Sequence, residues 1–234
     1  MLGGPGPAPS AVLGHAGGSE EPSRSVVFVK AVVFCEVTDP WSYLGATRFE
    51  RAAGMFTILT GEPVEIVYRA AEASPLTDDD VERATAAARI SAVPLDLAER
   101  VPAATGDAWR LLTWAAESDA GAGDPELAQL GIVGTSQRDL LQQLWRAHLQ
   151  EGADVSDPLV LSSRAALAGL PLETADAVLA STDYVTEVAR QREAAAEVGA
   201  HDLPFIVVDG DQTLAGLLSQ DDYLQALNHV HQRR

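Results

Sequence analysis

Val26-Val27-Phe28-Val29-Lys30-Ala31-Val32-Val33-Phe34, followed shortly by Thr38-Asp39-Pro40, decides the architecture. The first stretch is β-branched and aromatic almost throughout, the composition of a strand buried on both faces. The second is a helix start. Asp39 offers a side-chain acceptor at the N-cap, and Pro40 brings the fixed φ and missing N–H that suit the first helical position. Beyond it Phe49, Ala52, Ala53 and Phe56 recur at i, i+3, i+4 and i+7, one apolar helix face. Glu62-Pro63 breaks that pattern, and Val64-Glu65-Ile66-Val67-Tyr68 reads as a second strand. Strand, helix and strand make a βαβ unit, whose crossover favours parallel pairing.

Downstream, the pattern changes and then returns. From about Thr77 to Gly199 there is no convincing strand, and Ala, Leu, Glu and Arg dominate. Leu140, Leu141, Leu144, Trp145, His148 and Leu149 keep a helical rhythm that Gly152 should stop, while Asp157-Pro158 and Pro171 open further helices. Leu203-Pro204-Phe205-Ile206-Val207-Val208 is again a strand, Asp209-Gly210 a hairpin turn, and Gln212 to Ala215 its returning partner. Ser219 with Asp222 forms a capping box for a last helix carrying Tyr223, Leu227 and Val230 on one face. The expected class is therefore α/β, β-α-β then β-β-α, with a large all-helical insertion. Residues 1–25, rich in Gly and Pro, read as a disordered arm. Residues 26–76 and 200–234 form the sheet domain, and 77–199 the insertion with its connecting helix.

Composition narrows the function classes. The 234 residues carry 16 Lys+Arg against 34 Asp+Glu, a net charge of -18. Such an excess of acid repels phosphate backbones and acidic membrane surfaces, so neither nucleic acid nor membrane is an expected partner. The single cysteine excludes an intrachain disulfide and a cysteine-built zinc centre. No run approaches the ~20 apolar residues that span a bilayer. The N-terminal stretch lacks the basic start and unbroken apolar core of an export signal, so the cytoplasm is the expected location. The five histidines are scattered, and Asp78-Asp79-Asp80 reads as a helix start on a solvated face. No metal site is expected.

Local sequences add a resemblance. Asp39-Pro40-Trp41-Ser42-Tyr43-Leu44-Gly45 resembles the Cys-Pro-Trp-Cys-Tyr-Leu-Gly active-site segment of the DsbA family, in its FrnE-type branch. Hydroxychromene-carboxylate isomerases and kappa-class glutathione transferases belong to the same wider group. Tyr68-Arg69-Ala70-Ala71-Glu72-Ala73-Ser74-Pro75 is similar to that branch's Arg-Pro-Phe-Glu-Leu-Asn-Pro segment. Ala108-Trp109-Arg110-Leu111 sits where the branch has Ala-His-Arg-Leu, and Ala147 to Asp157 resembles its Ala-Tyr-Phe-x-x-Gly-x-Asp-Ile segment. Leu203-Pro204-Phe205 matches a Val-Pro-Phe segment that carries a cis-proline. The resemblance spans Val26 to His229 and implies a thioredoxin-like domain.

It also implies which chemistry is lost. The family dithiol uses two cysteines three positions apart, one attacking as thiolate and one resolving the mixed disulfide. Asp39 and Ser42 hold those positions, and Cys35 reads as a buried core thiol, so dithiol redox activity is not expected. An acidic first position also disfavours a glutathione or mycothiol thiolate, which would compete with the carboxylate for the helix N-terminus. Asp39 is then either an ordinary N-cap with the low pKa of a capped carboxylate, or a general base, with Ser42 donating a hydrogen bond. Trp41, Tyr43, Arg69, Glu72, Trp109, Leu203 and Pro204 are the candidate substrate contacts, Arg69 and Glu72 also being read as an ion pair. The expected activity is that of a non-redox isomerase, cyclase or transferase on a small aromatic or polyketide-like molecule, as in secondary metabolism. The alternative is a catalytically silent binding or dimerisation module. The expected partners are a small-molecule substrate and, in a homodimer, a second copy of the chain.

Overall fold

A computed structural model describes Met1 and residues 28–122 and 135–234. The rest of the expected arm, residues 2–25, and the expected strand start at Val26-Val27 lie outside the described residues. A four-stranded sheet carries the domain, in the order β2-β1-β3-β4. β1 (Val29–Cys35) runs parallel to β2 (Val64–Ala70), and α1 (Pro40–Thr60) connects them. β3 (Phe205–Val208) pairs antiparallel with β1, and β4 (Gln212–Ala215) folds back on β3. The three-residue connection Asp209-Gly210-Asp211 begins with two residues at positive φ (48 and 82), which suits the twist of the strands it joins. α8 (Gln220–Gln232), opened by the Ser219–Asp222 capping box, packs on α1.

Six helices of the described residues separate β2 from β3: α2 (Asp78–Ser91), α3 (Gly106–Ala122), α4 (Ser136–Leu149), α5 (Pro158–Leu167), α6 (Leu172–Ala180) and α7 (Val185–Glu197). Asp157 caps α5 with Pro158 at its first turn, and Thr77 with Asp80 boxes the start of α2, so the acid run is a helix start. The last residue of α4 is Leu149; the N–H groups of Gln150 and Glu151 both turn back to the Arg146 carbonyl, and Gly152 then takes positive φ (64). Leu140, Leu141, Leu144, Trp145 and Leu149 are fully buried, together with Phe49, Ala52 and Phe56 of α1.

β1 departs from its expected burial at one end. Val29, Ala31, Val33 and Cys35 are buried, but Lys30 is exposed and Val32 only half-buried. The second face is covered by a small cluster of Phe34, Ala71, Ala195, Ala200, Leu203 and Phe205, which does not reach Lys30. The outer edge of β2 is closed by side chains. Gln137 accepts from the Tyr68 N–H (2.9 Å) and donates to its carbonyl (3.0 Å), and Gln191 accepts from the Ala70 N–H (3.0 Å). Two amides thus satisfy an edge that would otherwise offer itself to another strand. Among the described residues, no helix is long and apolar enough to cross a membrane.

α1 meets the sheet through a close approach. The Leu203-Pro204 bond is cis, and a Cβ on Gly45 would collide with Cγ and Cδ of the Pro204 ring. Gly54, on the same helix, faces open space. Gly45→Ala should therefore destabilise the fold by about 1–3 kcal/mol through overpacking. Gly54→Ala should stabilise it by up to about 1 kcal/mol through helix propensity. Urea unfolding of the two variants beside the parent chain measures both signs.

Candidate functional site

The site forms where β1 runs into α1. Cys35 ends the strand fully buried, and Glu36-Val37-Thr38 turns the chain into the Asp39 cap. Asp39 Oδ2 accepts from the Ser42 N–H (2.8 Å) and the Ser42 hydroxyl (2.7 Å), while Oδ1 accepts only from the Trp41 N–H at 3.4 Å. The Ser42 hydroxyl oxygen in turn accepts from the Glu36 N–H (3.0 Å). Burial raises the pKa of Asp39, and these three hydrogen bonds oppose that rise without cancelling it. The low pKa expected of a capped carboxylate is thereby corrected: the cap is as read, but its carboxylate is only 4% exposed and loses more to desolvation than it gains from its donors.

Asp39 borders two chambers, which share it and the segment 73–76. The larger, about 1110 Å³, is lined by Glu36, Thr38, Glu72, Thr105, His148 and Arg192 among others. The smaller, about 380 Å³, is lined by Trp41, Asp80, Arg83, His201, Leu203 and Leu217 among others. Trp41 is half-buried, with the Arg83 guanidinium stacked 5.6 Å from its ring centroid. Trp41 and Leu203 thus face the smaller chamber and Glu72 the larger.

The other expected contacts lie elsewhere. Tyr43 points into the core, its ring 5.3 Å from Trp145 and its hydroxyl accepting from Gln150, because position 43 faces the helical insertion rather than the cap. Arg69 faces a separate cavity at the outer side of β2, with Glu65, Thr113, Glu117 and Arg138, since strand alternation turns it away from Tyr68 and Ala70. Arg69 and Glu72 do not pair with each other. Trp109 is fully buried and Pro204 packs on Gly45, so both support the site from behind. Ser42 is buried too, and its hydroxyl is committed to Asp39 and Glu36.

Glu36 escaped the sequence reading. Its side chain is 7% exposed and borders the larger chamber. Oε1 accepts from the Val37 N–H and from Trp109 Nε1 (3.2 Å), Oε2 accepts from the Thr105 hydroxyl (3.1 Å), and Arg192 lies 3.9 Å away. Burial raises its pKa against these donors. The available signal was an acidic residue placed directly after a buried strand, where a carboxylate needs partners. His148, in the same chamber, is held below its usual pKa by burial, with Nδ1 3.2 Å from the Ala153 carbonyl oxygen. Among the described residues, no group of three or more His, Cys, Asp or Glu side chains could hold a metal ion.

Cys35 is fully buried, and desolvation, reinforced by the neighbouring Glu36 and Asp39 charges, pushes its thiol well above the usual range. A thiol in that state is a poor nucleophile. The native protein at pH 8 should resist labelling by Ellman's reagent and react fully once unfolded in guanidinium. Stoichiometric labelling of the folded chain would contradict the burial.

Comparisons with solved structures agree on the fold. A probable DsbA oxidoreductase from Streptomyces coelicolor superposes with a TM-score of 0.72 at 24% identity, covering 88% of this chain and 91% of the other. The cytosolic disulfide reductase DsbM of Pseudomonas aeruginosa gives 0.59 at 18% identity, over 88% and 100%. A 2-hydroxychromene-2-carboxylate isomerase gives 0.53 at 18%, over 87% and 95%. At these identities the likeness is one of fold. No curated protein sequence matches the chain significantly. The family model described as the DSBA-like thioredoxin domain matches residues 31–228, nearly the whole of the described structure, and the chain belongs to that family.

Proposed function

We propose that this DSBA-like protein is a non-redox enzyme of isomerase, cyclase or transferase type. Its substrate is a small organic molecule, aromatic or polyketide-like, held in the cleft beside Asp39. The observation that carries this reading is the Asp39 carboxylate itself: nearly buried, bordering both chambers, and raised in pKa by desolvation. A carboxylate moved toward neutrality is suited to take a proton from a carbon or hydroxyl next to a carbonyl and return it elsewhere. With one cysteine in the chain, no dithiol cycle competes with that chemistry. Trp41 and Leu203 supply the apolar wall against which a planar group rests.

The same geometry weighs against glutathione or mycothiol as the reacting group. The backbone N–H groups that would steady a thiolate at the start of α1 are occupied by Asp39. A second reading, binding without turnover, draws on the enclosure of the Ser42 hydroxyl and the Cys35 thiol, which leaves the cleft without a free nucleophile.

A thermal-shift panel of glutathione, mycothiol, 1-naphthol and 2-hydroxychromene-2-carboxylate identifies a ligand, and turnover of the binders separates the two readings. Asp39→Asn should keep binding and lower turnover about 10²–10⁴-fold, the span of a lost general base. Unchanged turnover removes Asp39 from the mechanism. The same variant carries a stability signature. Because the folded-state pKa of Asp39 lies above its unfolded value, ionisation costs stability as pH rises through that interval, and the cost persists above it. Asp39→Asn should therefore melt higher than the parent at pH 7, and the gain should shrink toward pH 4.

A further inference from the structure

The two oxygens of Asp39 are not equivalent, and the difference has a cause outside the carboxylate. Ser42 lies in the first turn of α1 and is fully buried. Its hydroxyl oxygen receives the Glu36 N–H at 3.0 Å, which fills one lone pair and turns the O–H bond away from that donor. The acceptor in the other direction is Asp39 Oδ2, at 2.7 Å, which also holds the Ser42 N–H at 2.8 Å. Oδ2 is thus anchored twice by one residue. Oδ1 has a single long contact, 3.4 Å to the Trp41 N–H, and is the less committed oxygen of a residue that borders both chambers.

We propose that Oδ1 is the working oxygen of Asp39, and that Ser42 is a positioning residue whose hydroxyl, oriented by the Glu36 N–H, anchors Oδ2 and leaves the other edge of the carboxylate to the cleft. The assignment rests on the reading of Asp39 as the reacting group and replaces the direct role expected for Ser42: its proton is already committed and does not reach substrate. A hydrogen bond donated to the charged form favours that form, so Ser42 opposes the desolvation that raises Asp39. Other charged groups share the chambers with Asp39. They are Asp80 and Arg83 of α2, His201 and Asp202 ahead of β3, Glu36 and Glu72 on the strand-end loops, Arg100, His148 of α4, and Arg192 of α7. A residue-specific probe is therefore needed.

Carbonyl-carbon NMR of Asp-labelled full-length protein supplies it, with Asp39→Asn identifying the signal. In Ser42→Ala the Asp39 midpoint should rise, with a roughly tenfold gain in proton affinity, the scale of one lost charge-assisted hydrogen bond. Ser42→Thr, which keeps the hydroxyl, should return it toward the parent value. An unchanged midpoint in a folded Ser42→Ala protein overturns the proposal. Should either variant fail to fold, the parent protein still decides: the Ser42 hydroxyl proton should be protected from exchange, and its shift should follow the Asp39 titration. A rapidly exchanging hydroxyl, or one indifferent to that titration, overturns the proposal. Because these measurements read ionisation without a substrate, they stand or fall separately from the turnover of Asp39→Asn.

Discussion

Glu36 carries a carboxylate that folding takes out of water, and the rest of the site depends on how that group is satisfied. An unpaired buried carboxylate would be prohibitive, so donors must converge on it. They come from different parts of the chain: Thr105 and Trp109 from the start of α3, Arg192 from α7, and Val37 from the loop itself. The backbone of the same residue extends the set, its N–H to Ser42 of α1 and its carbonyl to Trp145 Nε1 of α4 at 3.4 Å. One residue after β1 therefore ties the sheet to α1, α3, α4 and α7. The larger chamber lies beside this convergence, with Glu36, Thr105 and Arg192 in its wall.

Asp39 is placed by a local rule and tuned by this long-range one. Any Asp before a proline-led helix would cap it, and the cap would leave a strongly acidic carboxylate at the positive end of the helix dipole. The insertion and the segment 73–76 line a chamber with that end, and the desolvation of Asp39 outweighs its hydrogen-bond donors. The same side chain thus serves as a helix start signal and as a buried group whose proton affinity is raised. Its cap hydrogen bonds and its burial pull its proton affinity in opposite directions.

What the sequence reveals divides along the same line. Asp39, Asp157 and Ser219 are legible as caps because each acts on backbone within three residues of itself. Phe49 to Phe56 and Leu140 to Leu149 are legible as core because helical periodicity alone sets their face. Tyr43 and Arg69 are not legible as cleft residues or otherwise, since a helix or strand position fixes only which side a group leaves from, and the insertion decides what it meets. Tyr43 meets Trp145, more than a hundred residues away. Glu36 was invisible for the same reason: all of its side-chain partners but Val37 lie about 70 residues or more along the chain.

In the proposed function, a carboxylate at position 39 makes protons rather than electrons the currency of the site. At the start of α1, N–H groups face whatever occupies the cap. A thiolate there would gain from them and become a good leaving group. A carboxylate gains the same hydrogen bonds but can exchange only a proton, and the stronger its bonds the weaker it is as a base. An acid–base role therefore requires something to weaken the helix end's hold without removing the cap. Here two features do so together. Burial to 4% exposure penalises the charge, and the cap bonds concentrate on Oδ2, which leaves Oδ1 with one contact at 3.4 Å. A solvent-exposed Asp at an identical cap would have neither. The loss of two thiols is thus only half of the change in this chain; the enclosure of the carboxylate that replaced the first is the other half.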